Sequence, residues 1–263
     1  MNYEYNTYVV KKMNMPFTIT FVKKEFFDGE KDAYKEVVTE IESYLDAIER
    51  KFSVFKTDSL VSCHSELINN FNEDFLDKEY QEVFIRCQQA KTKINGYFDP
   101  FFSGKYNPTG FVKGWAIENV FSKYLEPLIK HGVVEAVGIN GAGDMQLGTR
   151  EDSDFIWNVG IENPDNTREI IAKYSLKNGA IATSGFSKKG EHIKSKNKID
   201  NIQVTVLGKY LSDVDIFATT GVAMPSDEWN NFVIKNKLMG ILVNKENKII
   251  AFEGGKINEI KRS

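Results

Sequence analysis

Two amphipathic repeats constrain this chain more than any other feature. From Lys31 to Phe52, the apolar residues Val37, Ile41, Leu45, Ile48 and Phe52 recur at spacings of three and four. From Lys78 to Ile94 the pattern returns with Tyr80, Val83, Phe84, Cys87 and Ile94, and Gly96 stands ready as a stop. These spacings predict two helices, each with one face to bury, and they exclude an all-β fold. A third helix is expected to start near Lys113 and run to about Lys130, with Pro127 as a kink. Further helices are expected over Val214–Met224 and Glu228–Asn236.

Short β runs fill much of the rest. Thr7–Val22 reads as a hairpin, with Phe17–Phe21 alternating in strand fashion. Glu135–Asn140, Ile156–Ile161, Gly179–Thr183, Asn201–Leu207, Gly240–Asn244 and Lys248–Phe252 follow, with turns between them. Helices and strands mix without regular βαβ alternation, so the expected class is α+β: one large domain over residues 1–263, with mixed sheets and packed helices. The polar, basic Ser187–Lys198 reads as an exposed loop.

The 263 residues carry a net charge of −3 and a pI near 5.8, which gives no global basic field for nucleic acid. Cys63 and Cys87 stand far apart, and His64, His131 and His192 show no metal-ligand spacing. Thiols in a reducing compartment are the expectation. No secretory pattern opens the sequence and no apolar run reaches membrane-spanning length, so a cytoplasmic protein is expected, with no membrane partner.

Five stretches could carry chemistry. Asn107–Gly114 has two glycines and Lys113 at an expected helix start, which suits phosphate; a turn with a solvated lysine is the plainer reading, favoured slightly on spacing alone. In Ile139–Met145 a β run ends in glycines and Asp144; such a turn can lie against a ligand or another strand, and Asp144 as a plain turn residue is the alternative. Ala182–Gly185 places hydroxyls after a β run and could line a polar pocket. Asp215 and Thr219 share a helix face and offer hard oxygens for Mg²⁺, although Asp213 or Asp215 could simply cap that helix. His192 lies in the polar loop, by default a surface residue, with acid–base chemistry as the alternative.

Together these stretches resemble one family. In order they are FSVFKTDS (Phe52–Ser59), GYFD (Gly96–Asp99), NPTGFVKGWAIE (Asn107–Glu118), INGAGDM, WNVGIENP (Trp157–Pro164), AIATSG (Ala180–Gly185), His192, VTV (Val204–Val206) and VDIFATTGVAM (Val214–Met224). The sequence resembles the FAD:protein FMN transferases, the ApbE flavin transferase family, from about Met13 to about Ile241. The resemblance implies an enzyme that takes FAD and Mg²⁺, moves FMN onto a Thr or Ser hydroxyl of an acceptor flavoprotein and releases AMP. It implies that Met13, Phe55, Tyr97, Phe98, Asp99, Asn107 and Lys113 contact FAD. It assigns the Gly110 carbonyl, Asp215 and Thr219 to the metal, and His192 to the hydroxyl transfer. Alternatives on the same site are an FAD pyrophosphatase and a non-catalytic flavin binder. The sequence departs from the family where Asn107 replaces Asp, Ala142 replaces Gly, and Met13–Met15 reads MNM for MGT. After His192 it reads IKSKNKID, not the usual IxDP.

Overall fold

A computed structural model describes residues 2–25, 30–64, 77–185 and 200–260. The class is α+β, and the chain divides into two compact units, Met1–Phe155 and Ile156–Ser263.

The first unit opens with strands β1 (Glu4–Lys12) and β2 (Met15–Lys23), paired antiparallel as the alternation predicts. Helices α1 (Glu30–Phe52), α2 (Leu60–His64), α3 (Lys78–Lys93), α4 (Thr109–Val120) and α5 (Glu126–Lys130) follow, with one π turn (Phe121–Leu125) between the last two. Strands β3 (Ala136–Gly141) and β4 (Asp144–Thr149) then return, and β3 pairs antiparallel with both β2 and β4. Helices are thus inserted between antiparallel neighbours, so no parallel crossover forms.

The core of this unit follows from the apolar stripes. Ile41, Leu45, Ile48 and Phe52 of α1 are fully or nearly fully buried, as are Phe17, Ile19 and Phe21 of β2. Phe52 meets the rings of Tyr80 and Trp115, joining α1, α3 and α4. Helix α4 is buried almost all round, and its Trp115, Ala116, Ile117 and Val120 have no exposure. That is why it shows no clean periodicity in the sequence. It begins at Thr109, not at Lys113 as expected. Pro127 falls at the start of α5, directly after the π turn, so the helical run from Thr109 to Lys130 loses its regular α-helical bonding beside the proline.

The second unit holds a two-stranded sheet of β5 (Trp157–Glu162) and β6 (Ile170–Leu176). It also holds an antiparallel series: β7 (Gly179–Gly185), β8 (Asn201–Gly208), β9 (Met239–Asn244), β10 (Ile249–Glu253) and β11 (Lys256–Ile260). Between β8 and β9 run α6 (Leu211–Ala223) and α7 (Ser226–Asn236). Strands β4, β6 and β11 were not foreseen from the sequence, and α6 starts earlier than expected. Among the described residues, no helix is long and apolar enough to cross a membrane.

Three hairpins use two-residue loops with both residues at positive φ: Met13-Asn14, Ala142-Gly143 and Gly254-Gly255. This is the backbone that matches the strand twist.

An ionic clamp joins the helices of the first unit. Glu79 on α3 accepts from Lys51 of α1 at 2.7 Å, from Lys123 of the π turn at 2.9 Å and from the Tyr44 hydroxyl at 2.9 Å. Burial alone would raise the Glu79 carboxyl, but Lys51, Lys123 and Tyr44 outweigh it and hold it down to about 2. A depressed carboxylate stabilises the fold above its ordinary value near 4.5, and that stability is lost as pH falls toward the folded value. Glu79→Gln should therefore lower the urea midpoint at neutral pH, with the gap to wild type closing below about pH 4.5. A gap that is constant with pH would contradict this.

Candidate active site

In the first unit the candidate residues lie on α4, on the loops before α2 and α4, and on the hairpins. Asn107 precedes α4, and its side-chain oxygen accepts from the Thr109 backbone N–H at 3.0 Å and from the Thr109 hydroxyl. It is a working turn residue that satisfies a donor of the first helical turn. An aspartate would accept the same bonds and add a negative charge.

Gly110 occupies the exposed first turn of α4. A Cβ there would lie 3.2 Å from Cε2 of the Phe98 ring, so the structure brings Phe98 and Gly110 together and a side chain would press on that ring. Asp99, next to Phe98, pairs with Lys91 at 2.9 Å and accepts from the Phe101 N–H at 2.9 Å. Its carboxylate thus secures the loop that carries Tyr97 and Phe98.

Lys113 lies one turn inside α4, not at the helix start. Its side chain is 13% exposed, and its ammonium forms an ion pair with Asp144, which is 2% exposed. Asp144 opens β4, directly after the Ala142-Gly143 loop, and Gly143 N–H donates to the Asn140 side chain at 2.8 Å. The plainer expectation for Asp144, a turn residue, is not met. It is instead a buried anion facing the one lysine of the glycine-rich stretch. The signal available in the sequence was an acidic residue placed directly after the glycines that end a β run.

The remaining candidates of this unit are spread more widely. Phe55 is 81% exposed, on a loop held by Ser59, whose hydroxyl donates to the Ser53 carbonyl at 2.6 Å. Met13 is a hairpin residue at φ 51, and its N–H donates to Glu49 at 3.4 Å.

In the second unit, α6 packs on β7 and β8. The helix starts at Leu211 with Tyr210 at its cap and no side-chain cap bond. Asp213 and Asp215 are therefore both inside the helix, and the capping role expected of one of them is corrected. Asp215 is 2% exposed, an unusual place for a carboxylate. Thr219 lies one turn on, and its hydroxyl is 2.9 Å from that of Ser184 on β7. His192 lies outside the described residues.

The model of the ApbE family matches residues 103–242, more than half of the chain. The chain belongs to the ApbE family. This is the family that the sequence motifs resemble. Solved ApbE structures share the fold over nearly the whole length. The flavin transferase ApbE from Vibrio cholerae superposes with a TM-score of 0.70 at 15% identity, over 98% of this chain and 97% of that one. The ApbE protein from Thermotoga maritima gives 0.76 at 16% identity, over 95% and 97%. The Pseudomonas stutzeri flavinyl transferase ApbE, in its apo form, gives 0.72 at 12% identity, over 97% and 96%. At such identities the likeness speaks for the fold. No curated protein matches the sequence.

The buried pair of Lys113 and Asp144 leads to a test of stability. Removing either partner leaves a charge in a poorly solvated place, at a cost of about 3 kcal/mol or more. Lys113→Ala and Asp144→Ala should each destabilise, and the double variant should fall short of their sum by about 1–3 kcal/mol in chemical denaturation. Additive effects would contradict the pair.

Proposed function

We propose that this ApbE-family chain transfers FMN from FAD to a Thr or Ser hydroxyl of an acceptor flavoprotein, using Mg²⁺ and releasing AMP. The observation that carries the proposal is that Gly110, Lys113, Asp144, Asp215 and Thr219 all fall within the family-matched residues 103–242. Two of them form a buried ion pair, and Asp215 and Thr219 share one face of one helix.

The chemistry follows from what FAD is. The acceptor hydroxyl oxygen bonds to the FMN-side phosphorus. The bond from that phosphorus to the bridging oxygen breaks, and AMP leaves with the bridging oxygen. The hydroxyl proton passes to a base, for which we propose His192. Phosphoryl transfer of this kind depends on positioning and on neutralising charge. Lys113 supplies one positive charge to the pyrophosphate, and the small Gly110 keeps the first turn of α4 open to approach. Phe55, Tyr97 and Phe98 offer ring surface to the isoalloxazine, with Asp99 fixing their loop. Met13 and Asn107 complete the proposed FAD contacts.

The donors on α6 fit Mg²⁺ by type. They are one carboxylate and one hydroxyl, both hard oxygens, and among the described residues no group of three His, Cys, Asp or Glu could hold a metal. Mg²⁺ takes few protein oxygens and completes its shell with phosphate and water. When bound, it supplies Lewis acidity to the phosphoryl oxygens. Asp215 and Thr219 hold and orient it. We place the reaction in a reducing cytoplasm, consistent with the free thiols of Cys63 and Cys87.

Incubation with FAD, Mg²⁺ and an acceptor domain should give a fluorescent acceptor band on a denaturing gel, with AMP in solution. FMN and AMP without a band would make the protein a hydrolase, and intact FAD would make it a binder. Asp215→Ala should abolish Mg²⁺-dependent turnover. His192→Ala should slow transfer about 100-fold or more while FAD affinity holds. Unchanged turnover in either variant overturns that residue's role.

A further inference from the structure

One motif singled out in the sequence has no role in the function proposed above: the hydroxyls of Ala182–Gly185. We infer that Ser184 is a positioning residue that aims the Thr219 hydroxyl at the cation. The inference rests on the reading of Thr219 as a ligand, and goes beyond it by naming what sets that ligand's geometry.

Ser184 is 1% exposed, near the end of β7, and its Oγ lies 2.9 Å from Thr219 Oγ1. Strand and helix are held at this separation by their own packing. Ser184 is in register with Val204 of β8, so the two side chains point to the same face of the sheet. That is the face α6 covers: a Cβ on Gly221, two residues after Thr219, would lie 2.9 Å from Val204 Cγ1. Ala182 and Ala180, two and four residues before Ser184, put only methyl groups on the same side. Small residues on both elements bring the two hydroxyls within hydrogen-bond reach, with Ser184 buried and Thr219 half-buried.

The hydrogen bond matters because a hydroxyl has one proton and two lone pairs. Within a helix, threonine commonly donates back to the carbonyl four residues earlier, which for Thr219 is that of Asp215. Ser184 offers a second acceptor off the helix. When Thr219 donates to Ser184, its lone pairs are left for a cation. When Ser184 donates instead, one lone pair of Thr219 is used and its own proton points elsewhere. The geometry of the pair allows either oxygen to donate. A bound cation selects Thr219 as the donor, so the direction of this bond and the occupancy of the site are coupled. Partners of this kind, one shell out from a metal, commonly tune affinity by 10- to 100-fold.

The test is metal affinity in the full-length protein, read by Mn²⁺ electron paramagnetic resonance with FAD present, alongside thermal melting. Ser184→Ala should weaken Mn²⁺ binding about 10- to 100-fold. It should also raise the Mg²⁺ concentration needed for half-maximal turnover, with most of the rate recovered at high Mg²⁺. Ser184→Cys keeps the volume but accepts weakly, and serves if the alanine variant does not fold; its affinity should fall as well. Ser184→Thr keeps the hydroxyl and should stay within about threefold of wild type, the range left by a retained hydrogen bond. If Thr219→Ala loses Mn²⁺ and Ser184→Ala binds like wild type with only a lower melting temperature, Ser184 is structural and the inference is wrong. If Thr219→Ala itself binds Mn²⁺ like wild type, the ligand reading fails and the inference fails with it.

Discussion

A lysine ammonium removed from water must be matched by a negative charge, and the Lys113–Asp144 pair meets that requirement for the first unit. The pair has a structural consequence. It ties α4, the helix buried nearly all round, to the hairpin of β3 and β4. It has a chemical consequence too. An anion brought to Lys113 meets both charges of this pair with little water to screen either, so its attraction depends on lying nearer the ammonium than the carboxylate. The substrate proposed above, FAD, carries an anion of this kind in its pyrophosphate. In the proposed reaction Asp144 would keep the lysine oriented before the ligand arrives, which lowers the ordering cost of binding.

The departures from the family pattern divide along physical lines. Asn14 and Ala142 stand at hairpin positions with φ of 58° and 54°. Asparagine tolerates that backbone well, and alanine costs about 1 kcal/mol there relative to glycine. Both turns still form with the same two-residue register, so these changes alter the stability of the loops and leave their course unchanged. Asn107 keeps every bond that an aspartate oxygen would accept at the start of α4, and gives up one negative charge. The consequence of that substitution is electrostatic.

Much of the fold was legible because burial writes a period into the sequence. Helices α1 and α3 each bury one face, and their apolar spacings mark them to within a residue or two of their ends. The start of α4 was not legible. Its first turn contains Thr109 and Gly110, poor helix formers, and tertiary burial of Phe111, Val112 and Trp115 outweighs that propensity. Strand β4 was missed for a related reason: Asp144, Gln146, Leu147, Gly148 and Thr149 are all buried, so no alternation survives. At the candidate site, the sequence supplied Lys113, Asp215 and Thr219 by residue type and order. It could not supply Asp144 or Ser184, because each gains its partner only when distant segments fold together.

The account turns on the claim that Lys113 meets the diphosphate of FAD. The most direct measurement compares FAD with riboflavin, which has the same ring system and no phosphate, in wild-type protein and in a folded Lys113→Met variant. Loss of one charge-assisted contact is worth about 1.5–3 kcal/mol, or about 10- to 150-fold in affinity. The account predicts that loss for FAD and an unchanged affinity for riboflavin. An equal loss for both ligands, or none for FAD, would contradict it.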